Sequence, residues 1–238
     1  PFLENIFTDH EKMGYKTYVC LNKRFIKFSN LINSFGNADF WWTGNETTKE
    51  NKNIGSLRPL EQVHYVIERI NNLNYPILIW VHLWGFSKPE DRFLVTTPFD
   101  YDARVAELDE AVGVFFDKMN KNTELFIFSD HGYAFFEKNK WAYGKDGSNI
   151  SETVCSVPAI IYNSLNKGYN NNLVSQTELR SLILDSSSAM NIKSNIAFCE
   201  TRYLNEADKS LGIRIDNFKM IYNFMNKEVN FYDLNSDY

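Results

Sequence analysis

The sequence predicts an α/β protein with a mostly parallel sheet flanked by helices and a small strand-rich part near its C-terminal end. Three observations carry this expectation. Continuous apolar runs of strand length, Pro76–Trp84 (PILIWVHLW) and Leu125–Ser129 (LFIFS), are the pattern of strands covered on both faces. Segments with apolar residues at helical spacing alternate with them, as crossover helices do between parallel strands. Past Ser187 the helical rhythm gives way to short strands. No sharper boundary exists, so a core over residues 1–190 is expected, with residues 191–238 continuing the same fold.

Taken in order, Phe2–Met13 has a helical rhythm through Phe2, Leu3, Ile6 and Phe7, and Gly14 stops it. Lys16–Leu21 (KTYVCL) reads as a strand. Asn33–Leu57 is rich in Asn, Gly, Thr and Lys and reads as a long surface excursion. Leu60, Val63, Val66, Ile67 and Ile70 mark a helix over Pro59–Asn72, and Pro76–Trp84 follows as a fully buried central strand. After a loop at Gly85–Thr97, Asp100–Met119 is the clearest helix: Val105, Leu108, Val112, Phe115, Phe116 and Met119 share one face. Leu125–Ser129 is the next strand, followed by a polar loop to Ser156 and a strand at Val157–Tyr162. Gln176–Met190 reads as a helix, and the tail as strands at IAFCE, IRIDNFKMIYN and VNFYDL.

The bulk properties narrow the partners. With 238 residues, 44% hydrophobic and 23% charged, the chain can bury a sizeable core, and 19 Phe and 13 Tyr make that core rich in rings. A formal charge of −5 supplies no basic footprint for nucleic acid or an anionic membrane. No apolar stretch approaches the length of a membrane span. The three cysteines, Cys20, Cys155 and Cys199, are odd in number and lack CxxC spacing, so neither a zinc ribbon nor a disulfide framework is expected.

In open parallel sheets, ligands bind where the strands end. Leu125–Ser129 ends in Asp130-His131-Gly132. An anionic oxygen and an imidazole nitrogen delivered side by side suit a divalent cation, and Gly132 lets the backbone turn away. Taken alone, Ser-Asp-His-Gly is short enough to read as an ordinary turn.

Its surroundings change that reading. Tyr101–Phe116 (YDARVAELDEAVGVFF), Leu125–Gly132 (LFIFSDHG) and Ser156–Tyr162 (SVPAIIY) resemble, in order, three landmarks of the sulfatase family of the alkaline phosphatase superfamily. Gly14–Cys20 (GYKTYVC) and Val229–Asp237 (VNFYDLNSD) are similar to two more, so the likeness spans nearly the whole chain. The resemblance implies an alkaline-phosphatase-like sheet and metal-assisted hydrolysis of a sulfate ester, with a small molecule or carbohydrate as its carrier. It also implies a divalent cation, Ca²⁺ for a sulfatase and Mn²⁺ or Zn²⁺ for a phospho-enzyme. Asp130 and His131 match one pair of the family's metal ligands.

Other positions follow the family pattern less closely. In Tyr143-Gly144-Lys145-Asp146-Gly147, Lys145 matches a basic residue that contacts the ester, whereas counting back from Pro158 puts Asp146 there, as a further metal ligand. A polar turn is the alternative to both. His82 resembles a histidine in the strand before a substrate-contacting loop, and Lys88 stands in that loop, which departs from the family's sequence. A hydrogen-bonded core role for His82 stays open.

The Cys-x-Pro-x-Arg signature of the sulfatase nucleophile does not occur, nor does a Ser or Thr version, and Pro1 stands where a Met would begin a chain. The expectation is therefore a fragment of a longer enzyme, inactive alone. Two alternatives remain: a phosphodiesterase or a phosphoethanolamine- or phosphoglycerol-type transferase of the same superfamily, and a non-catalytic binding module. By analogy the family works in the periplasm, outside the cell or in lysosomes.

Overall fold

The structure, a computed structural model, describes residues 5–27, 29–43, 58–83, 98–132, 150–163, 167–200 and 209–237. The chain divides into two compact units, Pro1–Lys121 and Asn122–Tyr238.

In the first unit, α1 (Ile6–Lys12) starts where Asn5 Oδ1 accepts from the amides of Phe7 and Thr8, at 2.9 and 3.0 Å. The Asn5 amide donates in turn to Thr8 Oγ1 at 3.0 Å, closing a capping box that satisfies donors a helix start leaves over. Gly14, at φ 87, then turns the chain into β1 (Lys16–Asn22), a conformation a side chain would strain. β1 pairs in parallel with β2 (Asp39–Thr43) on one side and β3 (Ile77–Val81) on the other. Strand alternation sends Val19 and Leu21 into a cluster with Phe7, Phe35 and Ala38, and Phe40, Trp42, Leu78 and Trp80 pack around it. The ring-rich core is here.

The opposite face of β1 meets α3 (Pro59–Ile70), where Gln62 reaches the Cys20 sulfur at 3.7 Å and Val63 and Val66 are fully buried. Pro59 opens α3 where no amide donor is needed, and Glu61 accepts from the Arg58 amide at 2.9 Å. α4 (Pro98–Lys118) packs along α3 and buries Ala111 and Phe115. Both helices fall where their periodicity predicts.

Two expectations in this unit need correction. Among the described residues the strand order is β2-β1-β3, so β1 is the central, fully covered strand and β3 is half-buried at an edge. An apolar run marks a strand but tells neither where it sits nor how fully it is covered. The predicted excursion at Asn33–Leu57 contains β2, with α2 (Ser29–Ser34) running into its start. The aromatic run Phe40-Trp41-Trp42 is itself a strand signal, masked by the Asn and Gly residues around it.

In the second unit, β4 (Leu125–Phe128) pairs antiparallel with β5 (Ala159–Tyr162). The end of the loop predicted between them forms a single helical turn, α5 (Glu152–Cys155). The predicted helix Gln176–Met190 is interrupted. A 3-10 turn at Gln176–Glu178 leads into α6 (Leu179–Leu184), and a second 3-10 turn occupies Ser186–Ser188. Asp185 Oδ1 accepts from Ser187 N at 3.1 Å and Ser187 Oγ at 2.5 Å, side-chain bonds that compete with helical ones.

The tail is an antiparallel sheet of β6 (Ala197–Glu200), β7 (Ser210–Ile215), β8 (Phe218–Asn223) and β9 (Val229–Asp233), in sequence order. The run IRIDNFKMIYN, expected as one strand, is a hairpin. Asp216, at φ 49, and Asn217 make the two-residue turn that matches strand twist.

Candidate metal centre

β4 ends at Phe128, and Ser129, Asp130 and His131 leave it in a backbone held from several directions. Ser129 Oγ donates to the His131 carbonyl at 2.6 Å, and the His131 amide donates to Asp130 Oδ1 at 3.0 Å. Gln176 Nε2 donates to the Ser129 carbonyl at 2.7 Å and lies 3.4 Å from that of Asp130. Gln176 has no sequence signal linking it to this place.

His131 Nδ1 is 2.8 Å from the Gly132 carbonyl oxygen. A carbonyl can only accept, so Nδ1 carries the proton and Nε2 presents a lone pair, the tautomer a metal-binding imidazole needs. That Nε2 lies 3.7 Å from Asp130 Oδ2. Two donors at this separation can share one divalent cation at ordinary bond lengths of roughly 2.0–2.6 Å. The side chains are open to solvent, 78% exposed for Asp130 and 37% for His131. The chemistry of the two residues fits a cation between them; among the described residues, no group of three or more His, Cys, Asp or Glu comes together.

Gly132 serves a purpose beyond turning the chain. Its amide donates to the Val154 carbonyl at 2.7 Å, and a Cβ built on it would lie 2.1 Å from the Thr153 carbonyl oxygen. Only glycine admits α5 this close behind His131.

His82 stands just past β3, at the edge of the first unit's sheet where the three parallel strands have their carboxyl ends. Its amide donates to the Cys20 carbonyl at 3.1 Å, and its carbonyl accepts from Gln62 Nε2 at 2.9 Å. Its ring meets Phe25 edge-on, with centroids 5.1 Å apart. Lys88, Lys145 and Asp146 lie outside the described residues. Among the described residues, no helix is long and apolar enough to cross a membrane.

The Sulfatase family model matches residues 10–187, well over half of the chain. No curated protein matches the sequence. Similar solved structures include a 2-O GAG sulfatase, at 11% identity and a TM-score of 0.62 over 98% of this chain and 66% of that one. A protein in the alkaline phosphatase superfamily from Vibrio parahaemolyticus matches at 13% identity and a TM-score of 0.60, over 100% of this chain and 62% of its own. The lipoteichoic acid synthase LtaP from Listeria monocytogenes matches at 13% identity and 0.58, over 96% and 67%. Identities this low speak for the fold, and the chain spans about two thirds of the length of these structures. With the family model covering three quarters of the chain, the Asp130–His131 strand end included, the chain belongs to the sulfatase family.

Proposed function

We propose that this chain contributes the Asp130–His131 half of the metal centre of a sulfate-ester hydrolase. The observation that carries the reading is the approach of His131 Nε2 and Asp130 Oδ2 to 3.7 Å, with Nδ1 committed to the Gly132 carbonyl. A divalent cation, Ca²⁺ in this reading, supplies the charge that neutralises and polarises an ester oxygen. Asp130 would hold it with its carboxylate and His131 with the Nε2 lone pair of its imidazole. Ser129 and Gln176 fix the backbone beneath them, so the pair is positioned before substrate arrives.

Lys145 acts in this scheme as a point charge on a sulfate oxygen, with Asp146 as a further metal ligand if it takes that position instead. Lys88 and His82 are assigned to substrate contact. A 2-O GAG sulfatase among the similar folds favours a carbohydrate sulfate as substrate. The nucleophile is assigned to the remainder of a longer enzyme, so activity belongs to the complete protein rather than to these 238 residues.

The imidazole ligand also supports a second reading, a phospho-transferring or phosphodiester-cleaving enzyme using Mn²⁺ or Zn²⁺, ions that imidazole suits better than Ca²⁺. The test assays the complete gene product on an aryl sulfate and a bis-aryl phosphate ester with Ca²⁺, Mn²⁺ and Zn²⁺ in turn. Sulfate release with Ca²⁺, reduced by roughly 100-fold or more in Asp130→Ala, is the expected result. Turnover of the phosphate ester alone selects the second reading. No turnover with any ion sinks both and leaves a binding module.

A further inference from the structure

Two neighbouring rows of side chains under α5 carry sulfur and charge. Directly opposed residues of antiparallel strands share a face, which places Cys199, Gly212 and Ile221 in one row and Arg214 with Lys219 in the next. α5 sits against these rows. Glu152 pairs with Arg214 and with Lys219, the latter at 3.1 Å, and three residues on, Cys155, whose Sγ donates to the Ile150 carbonyl at 3.5 Å, stands beside Cys199. The i,i+3 spacing thus sets the carboxylate over the cationic row and the thiol over the sulfur row. Gly212 beside Cys199 has no side chain, and a Cβ there would meet Cys199 Cβ at 3.5 Å and Ile150 Cδ1 at 3.2 Å. The space above Gly212 is taken up by Ile150 and Cys199.

We infer that Cys155 and Cys199 form a reversible thiol–disulfide pair that fastens α5 to the C-terminal sheet. Neither sulfur is linked in the structure, and both residues are partly exposed, within reach of a small-molecule disulfide. Cys199 is the attacking thiolate. Hydrogen bonding from Cys155 lowers its pKa to about 7 against the opposing effect of burial, and the Lys219 ammonium helps. Among the described residues, the charged groups of the two rows under α5 are Glu152, Arg214 and Lys219, and the Lys219 ammonium favours a thiolate at both cysteines. The Cys155 hydrogen has two acceptors in reach, Cys199 and the Ile150 carbonyl at 3.5 Å.

The oxidant is a low-molecular-weight disulfide of the glutathione type. Cys199 S⁻ attacks one sulfur of it, forming a mixed disulfide and expelling one thiolate. Cys155 then loses its proton to that thiolate and attacks the Cys199 sulfur, expelling the second, which takes a proton from solvent. Two protein thiols are oxidised by two electrons, and one disulfide becomes two thiols. The bond would tie down the turn whose Val154 carbonyl receives the Gly132 amide, behind His131.

Cys20 is an internal control. It is fully buried, and burial raises its pKa to about 11. The experiment equilibrates the full chain with oxidised glutathione, quenches with acid, and counts thiols after denaturation. One thiol per chain is expected in place of three, with peptide mapping joining residues 155 and 199 and dithiothreitol restoring all three. In Cys155→Ser, glutathione should stay attached to Cys199 as a stable mixed disulfide. Three thiols remaining after equilibration would overturn the inference, as would a bond that includes Cys20 or one formed only between chains.

Discussion

Asp130 and Gly132 are two residues apart and should respond to substitution in opposite ways. Asp130 is 78% exposed, and its one described hydrogen bond is to the next amide. Asp130→Ala should therefore change folding stability by less than about 0.5 kcal/mol, while removing the anionic ligand proposed for the cation. Melting the complete enzyme with and without metal separates the two effects: an unchanged apo Tm, and loss of the metal-induced rise. Gly132→Ala should instead unfold early. Its Cβ would lie 2.1 Å from the Thr153 carbonyl, and the 2.7 Å bond to Val154 prevents a shift away, so destabilisation of about 1–3 kcal/mol or more is expected. A wild-type Tm would mean the approach is looser than drawn. At Cys199, the lowered pKa predicts that alkylation by iodoacetamide rises through about pH 7, well below an ordinary thiol, and that Lys219→Met moves the midpoint upward. The anion is the favoured form in the fold, so the reactivity falls away below pH 7. Asp130 and His131 could be singled out in the sequence as candidates because ligand chemistry and a strand end are both local features. The reason for Gly132 was not legible, since it depends on backbone 21 residues further on, and Gln176 acts across 47.

At the level of elements, α5 depends most on tertiary support. A single turn has no helical stability of its own, because nucleation is unfavourable and four residues cannot repay it. Glu152 anchors it, and Lys219, whose side chain is 2% exposed, has no water to fall back on. Glu152→Gln should thus cost about 3–5 kcal/mol in urea unfolding, because a buried cation loses its counter-charge. Glu152→Leu combined with Lys219→Met should recover most of that loss, since the buried cation goes with its partner and Arg214, 25% exposed, still reaches water. Equal losses in the single and double variants would mean that packing, not charge, holds α5. The same contrast explains which elements were legible. α3 and α4 repeat their apolar positions over several turns, and a long pattern survives local noise. β2 spans five residues and α5 four, too few for periodicity to speak. The hairpin at Asp216-Asn217 was present in the sequence as a two-residue turn between apolar strands, but the second turn residue is Asn rather than the Gly that usually marks it.

For the whole molecule, alternation of apolar runs and helical rhythm sufficed for an α/β fold with a strand-rich tail, because hydrophobic patterning is set by coverage and coverage by layering. Strand order was not legible, since the longer apolar run of β3 pointed to the centre whereas pairing among the described residues puts β1 there. The candidate centre was legible only as a pair, and the pair sets what this chain can do by itself. Ca²⁺ takes six to eight oxygen ligands in its usual sites, whereas Asp130 and His131 offer one carboxylate and one nitrogen. Calorimetry on the 238-residue chain should accordingly show no saturable Ca²⁺ binding tighter than about 10⁻³ M, while the complete enzyme binds. Asp130→Ala should leave the chain's weak heat unchanged and abolish binding in the complete protein. Micromolar affinity in the chain alone would refute the half-site, and loss of that affinity in Asp146→Ala would name the residue that completes it.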